Sequence, residues 1–90
     1  MKHAGPDALQ TLAPLLERIR RCALLVEKRV GIFYLKSKAF LHFHEDPSGM
    51  FADVRLDGAD FSRFRVKTKE EQTALVQRIH KHLSSLKLQP

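Results

Sequence analysis

The chain has no tryptophan, one cysteine, one tyrosine and four glycines among its 90 residues. Each scarcity excludes something. A lone Cys22 rules out an internal disulfide and any zinc site built on paired thiolates. It fits a reducing, cytoplasmic setting, and its apolar and basic neighbours make it a packed thiol rather than a nucleophile. The glycines stand apart at positions 5, 31, 49 and 58, so no glycine-rich loop cradles a phosphate. The longest aliphatic run is Ala23 to Val26, far below the roughly 20 residues of a membrane span. The opening Met-Lys-His-Ala-Gly-Pro lacks the apolar centre of a secretion signal. Ser37, Ser48 and Ser62 lie in turn-like contexts without a Gly-x-Ser-x-Gly elbow, which leaves no evident nucleophile.

Hydrophobic residues make up 43% of the chain and charged residues 29%, enough for one modest core in one domain spanning 1–90. Residues 1–6 are expected to be flexible and to lie outside that core. The net charge is +6, but it is unevenly placed. Glu45, Asp46, Asp53, Asp57 and Asp60 cluster around a single Arg55, while both flanks are basic. Such a chain suits an anionic partner, or pairing with a second copy of itself.

Periodicity supplies the elements. Leu9, Leu12, Ala13, Leu16, Ile19, Ala23 and Val26 follow helical spacing, which predicts an N-terminal helix ending between Arg21 and Lys28. Pro14 either separates a short first turn or marks where the regular helix starts. Four strand-like segments follow: Gly31–Leu35, Ala39–Glu45, Met50–Leu56 and, with less regular patterning, Phe61–Val66. Asp46-Pro-Ser-Gly49 and Asp57-Gly58 have the composition of turns. Thr68-Lys-Glu-Glu71 is a capping box, and Leu75, Val76, Ile79, Leu83 and Leu86 then make one apolar stripe. The expected fold is α+β, an antiparallel sheet of three to four strands flanked by N- and C-terminal helices.

A turn at Asp46–Gly49 fixes the register between its two strands. Leu41 then faces Val54 and Phe43 faces Ala52, with Phe33, Leu35, Phe64 and Val66 joining this apolar face. A three-residue loop at Lys36–Lys38 is the spacing that aligns Phe33 and Leu35 with it. The opposite face holds Tyr34, Phe40, His42, His44, Phe51, Asp53, Arg55, Arg63 and Arg65. That mixture is too polar for a second core and too aromatic for plain solvent.

Two chemistries compete for it. Arginines beside exposed aromatics suit single-stranded nucleic acid or an acidic protein surface, with Phe40, Phe51, Arg55, Arg63 and Arg65 as the contacts. Alternatively His42 and His44, on one side of a strand with Asp53 opposite, offer two nitrogens and one oxygen to a divalent metal, or an acid–base pair to a small hydrolytic or ligand-binding site. His3 looks incidental, since a third-position histidine near an amino terminus can chelate copper or nickel in any sequence. A non-enzymatic interaction module with an acidic partner is the favoured expectation, with no required cofactor. Self-association through the His42/Phe51 face is expected beside it, the acidic 53–60 region meeting Arg63 or Arg65 of a second copy.

Overall fold

The structure, a computed structural model, describes residues 2–56 and 60–87. Its elements in chain order are β1 (Lys2–His3), α1 (Pro6–Thr11), α2 (Ala13–Arg20), β2 (Leu25–Arg29) and β3 (Ile32–Leu35). They continue as β4 (Lys38–Asp46), β5 (Gly49–Val54), β6 (Ser62–Arg65) and α3 (Lys69–Lys87). The class is α+β as the sequence predicts, but the antiparallel sheet is larger. It runs β2-β3-β4-β5-β6, and β1 pairs with β4. Among the described residues no helix is long and apolar enough to cross a membrane. The Asp57-Gly58 turn lies outside the described residues.

Both extra strands correct the sequence reading. The N-terminal helix is two short helices meeting at Leu12, with Pro6 and Pro14 in their first turns, where a missing N–H costs nothing. The second ends at Arg20, so Ala23 and Val26 are not on a helix face, and Val26 is 57% exposed on β2. The apolar run had fitted a helix and a strand equally well, which periodicity alone does not resolve. Glu27 decides the local outcome. It accepts hydrogen bonds from Arg20 Nε (2.6 Å) and Nη2 (2.9 Å) and from the Gly31 backbone N–H (2.9 Å), tying α2 to the β2–β3 turn. Gly31 has φ +80°, the left-handed region that favours glycine, while the Leu9 Cδ2 that a Cβ would approach at 2.7 Å is the movable end of a side chain.

β1 places Lys2 and His3 of the N-terminal segment in the sheet. β3 covers only the first half of the long strand β4, pairing as far as Leu41. Lys2 and His3 take up the open second half, opposite Glu45 and His44. The Ala4 N–H donates to Phe43 O (3.0 Å), and the Gly5 N–H donates to the Glu45 carboxylate (2.6 Å).

The β4–β5 register is the expected one, Leu41 to Val54, His42 to Asp53, Phe43 to Ala52 and His44 to Phe51. The β5–β6 pairing places Phe64 opposite Ala52 and Arg63 opposite Asp53, again as patterned. The β3–β4 loop differs. It has two residues, Lys36 and Ser37, both at positive φ (52° and 69°), and Leu35 pairs with Lys38. Phe33 still meets Leu41, because β4 spends one extra residue between Ala39 and Leu41. That bulge removes Phe40 from strict alternation.

All the buried apolar side chains form one cluster on one side of the sheet. Leu12, Leu15, Leu16 and Ile19 from the first helices and Leu75, Val76, Ile79 and Leu83 from α3 meet Phe33, Leu41, Phe43, Ala52, Val54 and Val66 there. Each such burial contributes on the order of 1.5–3 kcal/mol. The capping box forms as patterned. Thr68 Oγ1 accepts from the Glu71 N–H (3.1 Å), and Glu71 Oε1 accepts from the Thr68 N–H (2.8 Å). With helices on one face only, the other face must satisfy its own polar groups.

Candidate functional site

It does so through a connected network. Asp53 in the middle of β5 is only 6% exposed, and a buried carboxylate needs partners. Arg63 supplies two charge-assisted bonds, Nε to Oδ1 (2.7 Å) and Nη2 to Oδ2 (2.8 Å). These bonds hold the Asp53 carboxyl below the usual carboxylate range, against the burial that would raise it. His44 Nδ1 lies 3.2 Å from Asp53 Oδ2. His44 Nε2 in turn lies 3.2 Å from His42 Nδ1. His44 Nδ1 also lies 3.4 Å from Arg63 Nη2, so it stands between the carboxylate and the guanidinium, and its role as donor or acceptor depends on the tautomer. Partial burial lowers the pKa of both imidazoles, against the nearby Asp53 carboxylate, which raises it.

His3 joins them because β1 sets it opposite His44. Its ring centroid is 4.6 Å from that of His44 and 5.7 Å from that of His42. One nitrogen from each of His3, His42 and His44 lies within 4.8 Å of the others. Phe61 closes the other side of His42, edge to face at 4.9 Å, and Arg55 lies over Phe61 at 4.5 Å.

The structure therefore brings together His42, His44 and Asp53 as the sequence suggested, with changed roles. Asp53 is the cross-strand partner of His42, yet its oxygens are engaged by Arg63 and His44, so it stands behind the imidazoles rather than beside them. His3 and Phe61 are the members that sequence reasoning missed. A two-residue strand has no periodicity to read, and Phe61 sits just before β6 at an unpaired position.

The five expected contact residues do not form one open surface. Phe40 corrects the reading most clearly. It is 2% exposed and belongs to the core, stacked at 5.8 Å on His82 of α3, because the bulge turns it to the helix side. Phe51 is half-buried beneath Arg65, whose guanidinium lies 5.0 Å over the ring and also donates to Ser48 O (3.0 Å). Arg63 is neutralised by Asp53 of its own chain, which removes one of the acidic–basic pairings expected between two copies. Tyr34 lies under Lys28 at 4.3 Å.

Arg55 is the exception. Its Nε is buried and has no hydrogen-bond partner among the described residues. It lines a groove of about 490 Å³ between the β3–β4 turn and the C-terminal part of α3. Lys36, Lys38 and His82 share this lining, with Leu35, Phe40, Leu56 and Leu86 as its apolar wall. Among the described residues no acidic side chain lines it.

Compared with known protein families, curated proteins and solved structures, the chain matches none of them.

Proposed function

We propose that this chain is a non-enzymatic binding module whose partner is an acidic polypeptide segment carrying apolar side chains. The groove beside Arg55 takes it. The observation that carries this reading is the lining of that groove, Lys36, Lys38 and Arg55 with His82 around an apolar wall, with no carboxylate among the described residues. The net charge of +6 attracts an acidic partner from a distance, and the unpartnered Arg55 Nε leaves donor capacity in the wall.

A single-stranded nucleic acid has less to hold it. Base stacking needs open aromatic faces, but Phe40 is in the core, Phe51 lies under Arg65 and Phe61 lies under Arg55. Self-pairing through the His42/Phe51 face loses the same exposed rings.

Fluorescence anisotropy with a labelled peptide of alternating glutamate and leucine tests the reading. Binding should weaken steeply with salt, and Lys36→Glu with Lys38→Glu should weaken it about tenfold or more. Binding indifferent to both salt and charge reversal contradicts the proposal. So does tighter binding of a single-stranded oligonucleotide that Arg55→Ala abolishes.

A further inference from the structure

The histidine cluster lies apart from that groove and asks for a different ligand. Three imidazoles gather on this sheet face, linked to one another by the His42–His44 hydrogen bond and by ring contacts. Here they converge from two strands, at opposed positions of a ladder that fixes their spacing. Only His44 has a carboxylate behind it.

We propose that His3, His42 and His44 form a three-histidine site for a divalent ion of the zinc class, with Asp53 orienting His44 from behind. Ligand spacing supports it. With Zn–N bonds of about 2.0–2.1 Å, two nitrogens of a tetrahedral site lie about 3.3–3.4 Å apart. His42 Nδ1 and His44 Nε2 are 3.2 Å apart as a hydrogen-bonded pair, and the ion would replace the shared proton, with His42 taking its Nε2–H tautomer. His3 is on the exposed side, with its nitrogen inside the 4.8 Å cluster, so a modest side-chain rotation completes the triangle.

The surroundings match what such a site needs. A metal-binding histidine ordinarily donates its second ring nitrogen to a carboxylate, which fixes ring orientation and tautomer. His44 Nδ1 lies 3.2 Å from Asp53 Oδ2, placed for this donation in the Nδ1–H tautomer, and Arg63 pins both Asp53 oxygens so that the carboxylate cannot swing in as a ligand. The ligand set is thus three imidazoles rather than two imidazoles and an oxygen. Imidazole donors suit zinc, cobalt, nickel and copper and disfavour magnesium and calcium. Three protein ligands leave a fourth position for water or for a donor from a partner.

Calorimetric titration of untagged, chelator-treated protein with zinc, and cobalt absorption as a second readout, tests the site. Zinc and cobalt are chosen because copper and nickel also bind a bare amino terminus. One ion per chain is expected, with the visible bands of tetrahedral cobalt. His3→Ala and His42→Ala should each weaken binding at least tenfold. Asp53→Asn should weaken it about 10- to 100-fold while the stoichiometry stays at one. His80→Ala, on the exposed side of α3 and outside the cluster, should change nothing. Circular dichroism confirms that each variant is folded, and His3→Ala touches only a surface strand. Absence of binding overturns the proposal. Loss in His3→Ala without loss in folded His42→Ala also overturns it, since it would mean chelation by the terminus alone.

Discussion

His44 meets the carboxylate of Asp53 at 3.2 Å although the two are not cross-strand partners, for Asp53 stands opposite His42 and His44 opposite Phe51. The diagonal contact is possible because Arg63, directly opposite Asp53 on β6, holds the carboxylate from the other side. The network thus runs across three adjacent strands, and β1 adds the fourth.

Removing Arg63 should therefore hurt more than its own exposed position suggests. Arg63→Ala leaves a buried carboxylate without its cation, so the urea midpoint at pH 7 should fall. The sign with pH follows from the lowered pKa of Asp53. Its stabilisation is present above the unfolded value near 3.9 and is lost as pH falls through the folded one. The difference between wild type and variant should be largest at pH 7 and shrink below about pH 4, as read by denaturation at both.

The apolar face was legible in the sequence because strand alternation has one consistent solution there. Leu41, Phe43, Ala52 and Val54 admit only one register across a Pro-Ser turn. The larger errors have local causes. Residues 23–26 are apolar without a distinguishing period, so β2 was absorbed into a helix. Lys2-His3 is too short to show alternation. The β3–β4 pair contains two compensating irregularities, a shorter turn and a bulge, and only Phe40 reveals them. At the site, His42, His44 and Asp53 could be placed on one face, but the diagonal contact and the arrival of His3 depend on tertiary pairing.

Core substitutions test that face. Leu41 and Val54 are fully buried opposite each other. Leu41→Ala should cost about 2–5 kcal/mol in chemical denaturation. Leu41→Asp or Val54→Asp should abolish the cooperative transition, and a normal melting curve for either would mean that the face is misassigned.

The β3–β4 turn can be improved. Lys36 and Ser37 both adopt the left-handed region, which costs side-chain-bearing residues energy that glycine and asparagine avoid. Lys36→Asn with Ser37→Gly should stabilise the chain by about 1 kcal/mol, raising Tm by roughly 4–8 °C. An unchanged or lower Tm in a calorimetric scan argues against a two-residue turn.

Glu27 gives a second pH dependence on a different part of the fold. Its pKa is lowered, chiefly by the Arg20 hydrogen bonds. The contribution is complete above the unfolded value near 4.3 and disappears as pH falls through the folded one. Glu27→Gln should lower stability at pH 7 by roughly 0.5–1 kcal/mol, and the difference should shrink as pH falls below about 4. Equal effects at both ends of that range would contradict the α2–β2 latch.

The most direct test of the second face is a crystal structure of the protein grown with zinc, with diffraction recorded on both sides of the zinc absorption edge. The account predicts one anomalous peak per chain, about 2.0–2.1 Å from a ring nitrogen of each of His3, His42 and His44, with Asp53 still on His44 and Arg63. A peak held by the Asp53 carboxylate, or no peak at these three histidines while they remain clustered, would contradict it.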